Sequence, residues 1–161
     1  MRVKESFTYP DTDVETVYAL ITDPAFREEA VAAVGGQDIA VTIEPTGDGH
    51  TVTVIQTQPA SVPDFIKKFV GESVMAKQTE RWSGPNADGT RSAEVKFTVI
   101  GQPADMLAQA KLSGEGDVSF TVDGELKVNV PFIGKKIEPE IAKIISASLR
   151  SDVEQGIKRL S

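Results

Sequence analysis

Several polar residues stand where the pattern asks for apolar ones, and they carry whatever chemistry this chain can do. In "SVMAKQTERW", Gln78 and Glu80 fall between Ala76 and Trp82 in one alternating phase. Gln56 continues Val52 and Val54, and Glu5 sits between Val3 and Phe7. Near the C-terminus Asp152 is flanked, in helical projection, by Ile141, Ile145 and Leu149. A carboxylate buried without a partner costs several kcal/mol or takes up a proton, so a dry core does not readily hold several of them. A wet or ligand-filled cavity holds them without that cost, and there a carboxyl of raised pKa is able to act as acid or base. A second arrangement stays open, in which strand ends or a bulge expose these groups, or Glu80 pairs with Arg91 across a hairpin beside Trp82.

Other catalytic signals are thin. The single histidine, His50, lies in the turn "TGDGHT", where exposure is expected. With no cysteine and no second histidine, neither a thiolate nucleophile nor a His/Cys metal cluster can be assembled, and no cofactor is expected. "SGEGD" has too few glycines for a phosphate-binding loop and no helix behind it. The formal net charge is -7 without a dense basic run, which argues against nucleic acid as a partner. No segment has the ~20 apolar residues of a membrane span, so stable membrane insertion is not expected and the expected compartment is the cytoplasm. At 161 residues the chain is expected to form a single domain over residues 1–161.

The elements that must position these residues are legible in the periodicity. "RVKESFTY" alternates as a strand. "PDTDVETVYALITD" shifts to helical spacing, with Thr12 or Asp13 as N-cap and Glu15 placed for a capping box with Thr12. Pro24 opens a second short helix with Phe26, Ala30, Ala33 and Val34 on one face, and Gly35-Gly36 stop it. Six further strands follow, separated by turn-rich stretches, the last running through Gly124 because its phase survives there. Matching inward phases aligns Ile43 with Val52, Trp82 with Arg91 and Leu112 with Val118, a single curved antiparallel meander. Ile137, Ile141, Ile144, Ile145, Leu149, Val153, Ile157 and Leu160 then form one broad apolar side of a closing helix. Pro139 suits a first turn, so that helix is expected to start near Glu138.

"VPDFIKKFVG" adds a short amphipathic helix, with Phe65, Ile66, Phe69 and Val70 on one edge and Lys67 and Lys68 outside. It serves either as a lid over a cavity mouth or as a cover burying its own phenylalanines.

Three stretches, "YPDTDVETVYALITDPAF", "ERW" and "VNVPFIGKKIEPEI", resemble the START-like (SRPBCC) superfamily. With "PDFIKKFVGES" they are most similar to a bacterial subfamily described as a domain of unknown function. The resemblance spans the chain, and its motifs are structural and not catalytic. It implies an α+β helix-grip fold: a curved seven-stranded antiparallel sheet wrapped around a long C-terminal helix, with two short helices after the first strand. It also implies a cavity for a hydrophobic small molecule or lipid. The candidate lining residues are Phe65, Phe69, Gln78, Glu80, Trp82, Phe97, Met106, Phe120, Ile145, Leu149 and Asp152. Non-catalytic binding is the expected function. A polyketide cyclase- or aromatase-like enzyme using Glu80 or Asp152 is one alternative, and an interaction module with a filled interior is another.

Overall fold

The computed structural model describes residues 1–60 and 62–161. Strand β1 (Arg2–Asp13) leads into helices α1 (Val14–Ile21) and α2 (Pro24–Ala33). Strands β2 (Gln37–Thr46) and β3 (Gly49–Pro59), helix α3 (Asp64–Val70) and strands β4 (Ser73–Trp82), β5 (Arg91–Val99), β6 (Ala104–Ser113) and β7 (Glu115–Val128) follow. Helix α4 (Gly134–Leu160) closes the chain. The strands form one antiparallel sheet in the order β1-β7-β6-β5-β4-β3-β2, a meander whose last strand pairs back with the first. This is the helix-grip architecture that the resemblance implied, built on the antiparallel meander that the periodicity predicted.

Local chemistry explains the boundaries. Asp13 is the N-cap of α1, its carboxylate accepting from the Thr16 amide, and Asp23 caps α2 ahead of Pro24. Glu15 does not close a capping box with Thr12, because its carboxylate is engaged by Arg91 through two hydrogen bonds of 2.7 and 2.8 Å. The buried face of α2 is Phe26, Arg27, Ala30 and Val31, rotated from the expected face, so Ala33 is left outside. Helix α4 starts earlier than Pro139 suggested. The Gly134 amide donates to the Val130 carbonyl and the Ile137 amide to Ile133, which build a first turn ahead of the proline. Pro139 therefore stands inside the helix, past its first turn and one amide short.

The pairing of Ile43 with Val52 and Val41 with Val54 is as expected. Two other hairpins are displaced by two residues. Trp82 faces Ala93 and Gln78 faces Phe97, in place of the expected Trp82–Arg91 and Ala76–Phe97 pairs. Leu112 faces Phe120 instead of Val118. An even displacement leaves every side chain on its expected face, so face matching alone cannot detect it. In the first case Arg91 turns its guanidinium onto the Tyr18 ring, 3.6 Å from the centroid. In the second, Glu115 and Gly116 pair with Asp13 and Thr12 of β1, so the chain cannot fold back sooner.

The concave face is apolar across β5 to β7. Ala93, Val95, Met106, Ala108, Leu112, Val118, Val122 and Leu126 are all buried there. Ile137, Ile141, Ile145 and Val153 bring α4 down on that face. Close approach at the far end needs Gly156, where a Cβ would lie 2.9 Å from the Tyr9 ring and 3.2 Å from Leu20. Between Ile137 and Asp152 the helix leaves a gap above the sheet, and the site lies in that gap. No helix among the described residues is long and apolar enough to cross a membrane.

Candidate functional site: a two-chambered cavity under the C-terminal helix

The gap between α4 and the sheet is a cavity of about 160 Å³. Ala76, Phe97, Val99, Ala104 and Val128 of the sheet form its floor, and Ile137, Ile141, Ile145 and Leu149 of α4 its roof. Ile66, Phe69 and Val70 of α3 wall one side. Phe69 and Ile144 are 49% and 38% exposed at its rim, large apolar groups left partly in water at the mouth. Alternation explains the walls: around this chamber the inward phase of β4 presents Val74 and Ala76, that of β5 presents Phe97 and Val99, and the small Ala104 of β6 leaves room where bulk would have filled it.

A second chamber of about 50 Å³ continues deeper, toward α1 and α2. Gln78, Ile145, Leu149 and Asp152 border both chambers and form the neck between them. Beyond the neck lie Tyr9, Arg27, Glu80, Trp82, Met106 and Phe120. Of the eleven residues singled out from the sequence, only Phe65 borders neither chamber, being 45% exposed on the outer side of α3, while its neighbour Ile66 faces in. Gln56 borders the larger chamber, and Glu5, though half-buried and inward in phase, borders neither.

The deep chamber holds one polar cluster in a largely apolar lining. Arg27 donates from Nη1 and Nη2 to both Glu80 oxygens at 3.1 and 2.5 Å, and from Nη1 to the Ile21 carbonyl at 3.2 Å. Gln78 Nε2 donates to Glu80 Oε2 at 2.6 Å and Trp82 Nε1 to Oε1 at 3.0 Å. Burial pushes the Glu80 carboxyl up, but the Arg27 charge and these hydrogen bonds outweigh it, and the group is held below the ordinary carboxylate range. Glu80 is therefore a satisfied structural anion. The Glu80–Arg91 pair left open as an alternative does not form: Glu80 is paired with Arg27 of α2, and Arg91 with Glu15.

Asp152 differs in kind. It has no hydrogen-bond donor among the described residues, and no cation lies within ion-pair distance. Burial lifts its carboxyl to about 6; Arg27 pulls it down and Glu80 pushes it up by smaller amounts. Tyr9, 2% exposed, lines the same chamber, its hydroxyl raised above the ordinary phenol value by burial and then by the Asp152 charge.

Arg27 and Tyr9 escaped the sequence reading. Arg27 lies three and four residues before Ala30 and Val31, so the spacing itself placed it on the buried face. His50 was misplaced for a similar reason. The β2–β3 turn is tight, with Thr46 paired to Gly49, so His50 is already a strand residue in phase with Val52 and Val54. It is half-buried opposite Trp82, and its Nδ1 shares a 2.6 Å hydrogen bond with the Tyr18 hydroxyl. Among the described residues no three His, Cys, Asp or Glu side chains are grouped to hold a metal ion.

Residues 4–159 match the model of the family described as a protein of unknown function, DUF2505, and the chain belongs to that family. Solved structures of START and related proteins share its fold. Human STARD10 superposes with a TM-score of 0.64 at 9% identity, over 98% of this chain and 63% of that one. A START superfamily protein from Mycobacterium smegmatis gives 0.58 at 13%, over 99% of both chains. Norcoclaurine synthase from Thalictrum flavum, in complex with dopamine and hydroxybenzaldehyde, gives 0.58 at 9%, over 100% of this chain and 88% of that one. A search of the curated proteins by sequence found no match.

Proposed function

We propose that this DUF2505 chain is a non-catalytic carrier or sensor, which takes a hydrophobic small molecule into the cavity between its sheet and α4. The observation that carries this reading is the cavity itself: about 160 Å³ left open under a helix whose apolar stripe would otherwise close-pack. Removing the apolar body of a ligand from water supplies affinity at ~25 cal/mol per Å², less the cost of ordering. The polar neck would orient one end. A dry core has no use for an unpartnered carboxyl, whereas a ligand site has one. A filled interior serving only as an interaction module has no support from a cavity of this size.

Native mass spectrometry of gently purified protein, followed by thermal-shift titration against fatty acids, sterols and small aromatics, tests the reading. A co-purifying adduct or a saturable rise in Tm is expected. The absence of both an adduct and a shift across the panel would overturn it.

A catalytic reading has one observation in its favour, the Asp152 carboxyl held at about 6 on the cavity wall, in the range where a carboxyl exchanges protons near neutral pH. A fold neighbour is a synthase that was solved with two small aromatic molecules. Glu80 is excluded from such a role by its four hydrogen bonds. Turnover of a polyketide-like substrate, abolished in Asp152→Asn with binding retained, would replace the carrier reading with this one.

A further inference from the structure

The charge balance at the neck identifies the class of ligand. Arg27 and Glu80 cancel, locked to each other from α2 and β4. Among the described residues no other Lys, Arg or His borders either chamber, so Asp152 on α4 leaves the lining with one uncompensated negative charge once it ionises. The remaining polar groups of the lining are uncharged: Gln78, whose amide nitrogen donates to Glu80, the Tyr9 hydroxyl on β1, and Gln56, Gln58, Gln102 and Ser148 around the larger chamber. Such a wall repels a carboxylate or phosphate head and leaves an acceptor waiting for a donor.

Size narrows the class further. A dry cavity of about 150 Å³ lined by aliphatic and aromatic groups takes up benzene. The larger chamber here, about 160 Å³, matches a single ring or a short branched chain, and the deep chamber of about 50 Å³ has room for a head group of a few atoms or a water or two. Two acyl chains of a membrane lipid do not fit in that space. The rim of Phe69 and Ile144 lets a short tail emerge at the mouth.

We infer that the cavity is selective for a small apolar amine: one ring or a short alkyl body between α3, α4 and the sheet, with its ammonium donated to the Asp152 carboxylate at the neck. This inference rests on the carrier reading and specifies its ligand. The ion pair forms in a poorly solvated place, where a hydrogen-bonded charge pair discriminates strongly against a head group of the wrong sign. It also settles the otherwise unfavourable state of Asp152, because the incoming charge stabilises the ionised form that burial disfavours. Above pH 6 the carboxylate is available and the amine is preferred. As the pH falls below about 6 the proton returns to Asp152 and the preference for the amine fades.

The test compares three probes with one body and different heads: 4-phenylbutylamine, 4-phenylbutanol and 4-phenylbutyrate. Affinities are measured by calorimetry at pH 8.0 and 5.0 on the wild-type chain and on Asp152→Asn, an isosteric change that keeps the neck's shape. The expected result at pH 8.0 is that the amine binds at least tenfold tighter than the alcohol and the carboxylate binds weakest. That order is lost in the variant and flattened at pH 5.0 in the wild type. Equal affinities for all three at pH 8.0, or a preference for the carboxylate, would overturn the amine assignment and leave the carrier reading standing. An amine preference unchanged in Asp152→Asn and at pH 5.0 would overturn it as well. If none of the three binds and the wider panel also fails, both fall together.

Discussion

Arg27 on α2 and Glu80 on β4, 53 residues apart in sequence, form a buried pair joined by two parallel hydrogen bonds. The pair fastens the helical corner to the centre of the sheet and sets the floor of the deep chamber. A buried ion pair adds little net stability over well-packed apolar groups, but removing one partner strands the other. Arg27→Met alone should cost about 3–5 kcal/mol in urea unfolding, and Glu80→Leu alone a similar amount. The double variant should recover a large part of either loss. Full additivity of the two losses would show that the residues do not act as a pair.

Asp152 predicts a dependence of stability on pH with the opposite sign to that of an ordinary salt-bridged carboxylate. Its folded-state value, about 6, lies above the ~3.9 of an unfolded chain, so the folded protein binds its proton more tightly. The unfavourable contribution is absent below pH ~4, grows as the pH rises from there through about 6, and is complete above that. Asp152→Asn should therefore be more stable than the wild type by about 3 kcal/mol at pH 8, with the curves meeting near pH 4. A difference that stays constant across this range would contradict the desolvation of this half-buried carboxyl on the cavity wall.

The parts of this site that were visible in sequence, and the parts that were not, divide by the range of the interaction. Gln78, Glu80 and Asp152 betrayed themselves by breaking an apolar period, because period depends only on neighbours along the chain. Element order and the Asp13 cap, one of the two that the spacing offered, are equally local. The partner of Glu80 was not visible. Arg27 and Arg91 were both available cations, and the choice between them depends on how α2 lies across the sheet. The two-residue register displacements were hidden for a different reason, since period two makes even shifts degenerate. The standoff of α4 that opens the cavity depends on side-chain volumes summed from three layers, Ala76 and Ala104 below and Ile141 above among them, which no single segment encodes.

Gly124 is where the sheet's curvature is most exposed to test. It lies in the middle of β7, between Val3 of β1 and Ala108 of β6. A Cβ there would overlap the Leu107 carbonyl oxygen and sit 2.5 Å from the Ala108 Cβ. Backbone cannot retreat as a flexible side chain would, so Gly124→Ala should destabilise the protein by about 1–3 kcal/mol despite the higher strand propensity of alanine. Chemical denaturation measures it directly. An unchanged or raised midpoint would mean that β6 and β7 can separate locally at no cost.

Ala76 offers the sharpest separation of folding from binding. It is 8% exposed on the floor of the larger chamber, facing the roof formed by Ile141 and Ile145. In a close-packed core, Ala76→Leu would overpack and cost about 1–3 kcal/mol. In a cavity of about 160 Å³ the three added carbons have space, and each buried carbon contributes up to ~0.8 kcal/mol. The variant should therefore unfold at a higher urea midpoint, by about 1–2 kcal/mol after side-chain ordering is subtracted. The same substitution occupies the ligand's volume. The wild type, saturated with a ligand at a hundred times its Kd, should gain about 2.7 kcal/mol, and the variant should gain almost none at that concentration. Loss of stability in Ala76→Leu, with the ligand-induced gain retained, would mean that the space under α4 is closed in solution and that binding occurs elsewhere.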